Sequence, residues 1–249
     1  LTTIEQKPVQ SRMILAEALH HLDLEEWAQE ALEESRRALT NAAYQGVEWH
    51  DLRFHLFTAL YARDTSTSRT QTIRFQDLSD SLDKAFILRR LKLSCELLSH
   101  QAVYNTTYES GMLDVLLEHL ATHPHWLNQN DIALYYHCCL ALLRPAEKGH
   151  FEHLKPLLLQ VERVFPASEC RDILLLALNF CIRKLNEGDV HFAHEGLELY
   201  QHALQQGYLL EKGLLSRFTF RNIVGMGLRI EAFEWVEYFI KTYGDKLPP

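Results

Sequence analysis

Fourteen histidines in 249 residues make metal chemistry the first thing to weigh. Three pairs stand at helical spacing: His119/His123 four apart, and His150/His153 and His191/His194 three apart, with Glu152 and Glu195 nearby. Such spacing puts two imidazoles on one helical face. Zinc asks for three or four ligands steadied by outer hydrogen bonds, and no pair has a sequence neighbour that completes a set. His123 also falls at a helix end, just before Pro124. The histidines therefore read as solvated or capping side chains, with no metal and no cofactor. Cys138 and Cys139, beside His137, point about 100° apart on a helix and make no nucleophile–base pair. Glu25/Glu26 and Glu33/Glu34 read as solvated charge rather than an acid–base couple.

Motifs with a chemical rationale are missing from the sequence. There is no phosphate-cradling loop ending in Lys-Ser/Thr, no dinucleotide fingerprint, no Gly-x-Ser-x-Gly elbow, no His-Glu-x-x-His and no CxxC pair. The formal net charge of −8 argues against a sequence-independent grip on nucleic acid phosphates. The longest largely apolar run, Ile173 to Ile182, is too short to span a bilayer. No signal peptide is visible, although the chain starts at Leu1, so this carries little weight. Cys95, Cys138, Cys139, Cys170 and Cys181 are odd in number and lie in apolar helical patterns, which predicts reduced, buried, cytoplasmic thiols.

Few Gly and Pro, placed at segment ends, predict helices throughout. Residues 1–8 read as a lead-in to a helix over 9–21 with Met13, Ile14 and Leu19 inward. Asp23 is placed to cap a second over 24–44 that buries Trp27, Ala31, Leu32 and Leu39. A third covers 47–62. The polar stretch Arg63–Arg74 reads as a connection, or alternatively as a lid or docking loop. The fourth, 78–100, shows Leu82, Phe86, Arg89, Leu93 and Leu97 along one flank and Leu88, Leu91, Cys95 and Leu98 along the other, predicting burial on both sides. Further helices follow over 110–122, 131–143, 148–164, 168–186, 189–206, 216–229 and 232–243. Pro156 should start a helix near His153 or kink one.

The final third, Ser168–Pro249, organises the rest. Ser216 can cap a helix whose Phe220, Ile223, Val224 and Leu228 share a face. After a break near Ile230 and Glu231, Phe233, Val236, Ile240 and Tyr243 form a second stripe. Gly244 then offers a left-handed stop and Pro248 bars continuation. The same offsets counted back from Pro166 give Phe151, Leu154, Leu158 and Val161. From Tyr208 they give Ala193, Gly196, Tyr200 and Ala203, with Gly207 as the stop. From Pro124 they give Met112 and Leu116, while Glu109 and His119 break the pattern. The anchors Pro124, Pro166, Tyr208 and Pro248 therefore recur at nearly even intervals. A period near 40 holding two helices predicts an α-solenoid.

Gly196–Tyr200–Ala203 resembles the small–aromatic–small signature on the second helix of a tetratricopeptide repeat. Phe233–Val236–Ile240–Tyr243–Pro248 resembles a degenerate copy. The periods are longer than that family's usual repeat, and Phe220, Ile223, Val224 and Gly227 stand in place of its first-helix signature. The final third of the chain is also similar to uncharacterised helical-repeat proteins of Bacteroidetes-type bacteria. The expected fold is all-α: an α-solenoid of antiparallel helix pairs, tetratricopeptide-like, with about eleven helices. It forms one domain over 1–249, any division falling between a looser 1–75 and a repeat part 76–249.

The resemblance implies that the first helix of each pair lines a concave face where partner peptides lie. Candidate contacts are Asn179 and Arg183 (with Lys184) on helix eight, and Arg217, Arg221, Asn222 and Arg229 on helix ten. Asn can bond a peptide's backbone and Arg can fork onto a carboxylate, so an acidic protein segment or a C-terminus suits them; ordinary surface charge is the other reading. The last helix is apolar nearly all round, with Trp235, Tyr238 and Phe239 as its candidate face. Either the array continues past Pro249 or this face meets another molecule. The function expected is a non-catalytic, cytoplasmic protein-interaction scaffold, without nucleic acid or membrane partners. The alternatives are a helical metal-dependent hydrolase with dispersed His/Glu ligands, or a structural segment of a longer protein.

Overall fold

The computed structural model describes residues 7–67 and 75–248. Among them it is all-α. The helices are α1 (Lys7–His21), α2 (Glu25–Thr40), α3 (Val47–Thr67), α4 (Phe75–Tyr104), α5 (Leu113–Thr122), α6 (Asn130–Leu143), α7 (Lys148–Leu158), α8 (Ala167–Asn186), α9 (His191–Gln205), α10 (Arg217–Arg229) and α11 (Phe233–Tyr243). One element was not foreseen, a two-rung antiparallel hairpin of β1 (Leu210–Glu211) and β2 (Leu214–Leu215). Its turn residues Lys212 and Gly213 both have positive φ, as a two-residue primed turn requires.

Four helices end alike. After α1, α8, α9 and α10 the chain passes through a left-handed residue: Asp23, Gly188, Gly207 and Glu231. Each time the next residue's N–H reaches back five residues, as in Leu24 N–H to Leu19 O at 3.0 Å and Ala232 N–H to Gly227 O at 2.9 Å. This is the Schellman arrangement, which satisfies carbonyls the helix leaves open. Asp23 therefore closes α1 and does not cap α2, whose N-cap position is Leu24 without a side-chain bond. Ser216 does cap α10, accepting from Phe218 N–H at 3.3 Å. Gly244 is right-handed (φ −58°), so the chain runs on into a 3₁₀ turn over Gly244–Lys246. Pro156 does not start α7. It sits in the last turn, and the helix stops two residues later.

The chain divides into two compact units, Leu1–Arg90 with Val164–Pro166, and Leu91–Arg163 with Ala167–Pro249. In the first, α1, α2 and α3 close on a core of Val9, Ala16, Leu32, Leu39, Trp49, Leu52, Leu56 and Leu60. Trp49 is the buried tryptophan, its indole N–H donating to Leu39 O at 2.9 Å. Trp27 is 65% exposed and Ile14 62%, against expectation, because α1 and α2 pack along Val9, Ala16, Ala28, Ala31 and Leu32 instead. Arg63 belongs to α3 and pairs with Glu25 at 2.6 Å; residues 68–74 of the expected connection lie outside the described residues.

In the second unit α6 packs with α7 and α8, α8 with α9, α9 with α10 and α10 with α11. Phe151, Phe180 and Phe192 bind α7, α8 and α9 through ring contacts of 5.2–5.5 Å. The α4 flank with Leu88, Leu91 and Cys95 is fully buried, but Leu82, Phe86 and Leu93 are exposed, so that helix is covered on one side only.

Candidate functional site

α8 repeats groove-facing residues at three- and four-residue steps: Asp172, Leu175, Leu176, Asn179, Ile182, Arg183 and Asn186. That spacing keeps them on one face. Opposite stands the C-terminal half of α4, with Lys92, Glu96, Ser99, Ala102 and Val103, and between the two α6 supplies Tyr135 and Leu142. The result is a pair of adjoining clefts of about 370 and 270 Å³, with Asn179 lining both.

Arg183 and Glu187 are the charged groups of the larger cleft, and Arg183 is its cation. It lies over the Phe180 ring at 5.5 Å, and its Nε is 3.8 Å from Glu187. The other oxygen of Glu187 is bonded to Lys184 at 2.6 Å. Both Nε and Nη2 are shielded from solvent without a hydrogen-bond acceptor. A donor so placed costs about 1–3 kcal/mol, and these two form the edge of the guanidinium that grips a carboxylate. At the smaller cleft, Tyr135 donates to the buried Glu169 at 2.7 Å, and Lys92 stands 3.7 Å from the same oxygen. Burial, and then the Glu169 charge, push the Tyr135 phenol well above its ordinary value. Glu169 lies in the first turn of α8, where the helix dipole favours an anion.

The α10 residues do not line these clefts. Arg217 donates to Pro248 O at 2.9 Å, and Asn222 is turned to the Tyr200 hydroxyl at 3.5 Å. Burial raises that phenol to about 12. Arg221 and Arg229 are exposed. On α11, Phe239 is no part of an open face: it is fully buried, with ring contacts to Phe220, Trp235 and Tyr243 at 5.0–5.5 Å. Tyr238 is exposed, Trp235 half-buried.

The histidine pairs make local bonds. His123 stacks on His119 at 4.2 Å and its Nδ1 sits 2.9 Å from the His119 carbonyl; His150 meets Glu147 at 3.0 Å, and His191 meets Glu195 at 3.2 Å. His137 stacks on His153 at 5.0 Å with His150 at 6.2 Å. Burial, and then those two neighbours, hold it down at about 4. Among the described residues no group of three or more His, Cys, Asp and Glu could hold a metal ion. All five cysteines are buried free thiols. Cys95 and Cys139 lie 3.3 Å apart, and burial pushes Cys95 well up and Cys170 to about 11. Thiols held protonated are poor nucleophiles. No helix among the described residues is long and apolar enough to cross a membrane.

The sequence pointed to Asn179 and Arg183 but not to the α4 wall or the Tyr135 floor. The available signal was Glu169, a carboxylate in the first turn of α8 within an otherwise apolar stripe. No protein-family model, curated protein or solved structure matches the chain.

Proposed function

We propose that the chain is a non-catalytic interaction scaffold that holds a carboxylate-bearing peptide in the α4–α6–α8 clefts. The observation that carries this reading is Arg183, a cation on an apolar cleft wall with two shielded N–H groups lacking acceptors and its nearest carboxylate just out of hydrogen-bond reach. A small turn of its stem aims that edge into the cleft, where a C-terminus or acidic side chain satisfies it. Asn179, four residues earlier, is placed to bond the peptide backbone. In this reading α6/α7, α8/α9 and α10/α11 are successive tetratricopeptide-like pairs of an α-solenoid with a period near 40. The consecutive packing of these pairs and the repeated Schellman endings support it. The unpaired thiols fit a reducing, cytoplasmic setting.

The test is selection of linear peptides from a display library on the full chain and on Asn179→Ala/Arg183→Glu. Carboxylate-bearing sequences should be recovered on the wild type and lost on the variant, with helical circular dichroism unchanged. Equal recovery on both proteins would exclude the cleft.

A further inference from the structure

α10 carries three arginines and no carboxylate. At 100° per residue, Arg217, Phe218, Arg221, Leu228 and Arg229 fall within an arc of about 120°, opposite the buried Ile223, Met226 and Gly227. Phe218 is 77% exposed and Leu228 49%. Several other cations of this unit sit beside acids: Lys148 with Asp189, Lys155 with Glu195, Arg171 with Glu211, Lys241 with Glu237. Arg221 and Arg229 enter no ion pair among the described residues. Arg217 is steadied on the face by its bond to Pro248 O. On a chain of net charge −8, a helix face that joins unneutralised arginines to bare phenylalanine and leucine is a selective surface.

We infer that this face docks an acidic amphipathic helix of another protein. Phe218 and Leu228 are about 15 Å apart along the axis, which a partner helix of about ten residues spans with two apolar anchors. Carboxylates flanking those anchors meet Arg221 and Arg229 as forked pairs. A nucleic-acid duplex fits less well, because it offers no apolar side chain to cover Phe218 and Leu228. The inference is independent of the α4–α6–α8 clefts.

The experiment is selection from a display library of 14-residue helix-forming peptides on the full chain. The enriched peptides are then titrated by fluorescence anisotropy against wild type, Arg221→Glu/Arg229→Glu, Phe218→Ala and Arg183→Glu. Vesicles of phosphatidylcholine with phosphatidylserine, and a 20-base-pair duplex, serve as rival probes. Acid-rich peptides with apolar anchors should be enriched. Binding should fall by about tenfold or more in the charge-reversed and Phe218 variants, stay unchanged in Arg183→Glu, and weaken with salt. Enrichment without acids, unchanged affinity in the charge-reversed variant, or tighter binding to vesicles or duplex would overturn the inference. So would dimerisation of the chain through this face without peptide enrichment.

Discussion

α6 and α11 are both apolar over most of their circumference, yet they meet opposite fates. Eleven of the fourteen residues of α6 are buried, against two of the eleven in α11. Part of the difference is composition, since α11 carries Glu234, Glu237 and Lys241 where α6 has Asp131 alone, and the rest is neighbours. α6 has α7 and α8 packed on it and α4 bonded to it through the Cys95–Cys139 contact, whereas α11 packs chiefly on α10. Apolar pattern thus tells which faces want cover, and tertiary neighbours decide which receive it.

The sharpest way to break this comparison is to make one chemical change in both helices. Ile132→Ala in α6, at a position with no exposure, should cost about 2–5 kcal/mol in urea unfolding. Ile240→Ala in α11, at 44% exposure, should cost about 0.5 kcal/mol or less. Equal losses would mean that α11 is covered after all. The next contrast lies within the terminal pair. A Cβ on Gly227 would run into the Val236 methyl, and valine has little rotamer freedom to yield. Gly227→Ala should therefore destabilise by about 1–3 kcal/mol, although Gly225→Ala, with open space around it, should stabilise by up to about 1 kcal/mol.

Returning to α6, Tyr135→Phe removes the donor to buried Glu169 and should cost about 1–3 kcal/mol in the same assay. The smallest effect concerns His137. Its folded-state value of about 4 lies below the ordinary 6.5, so the unfolded chain takes up the proton first as pH falls. Stability is full above pH 6.5 and declines toward pH 4, by about 1 kcal/mol once its partial exposure is allowed for. The groups facing it are His150 and His153, with Glu147 bonded to His150. His137→Asn should flatten that part of the pH–stability curve.

Much of the helical layout was legible. Helix number and most boundaries followed from period, Gly/Pro placement and caps such as Ser216, because these are local signals. Asp23 shows where local reading fails: an Asp before a helix looks like an N-cap, but here the preceding helix needed a left-handed closing residue. Trp27, Ile14 and the Leu82–Phe86–Leu93 flank failed for another reason, since each helix has more apolar surface than its neighbours cover. Phe239 erred the other way, its burial coming from a ring stack that spacing does not reveal. At the candidate site, the α8 face could be read from the spacing of Asn179 and Arg183. The α4 wall and Tyr135 floor could not, because they come together only through α6, which is distant in sequence from the facing parts of both α4 and α8.

The most direct test of the central reading is hydrogen–deuterium exchange of the full chain with and without a carboxylate-bearing peptide that is recovered on the wild type and lost on Asn179→Ala/Arg183→Glu. Slowed exchange over residues 92–103 and 172–187, with 217–229 unchanged, is the predicted result. Protection confined to other segments, with both cleft walls exchanging as in the free chain, would contradict it.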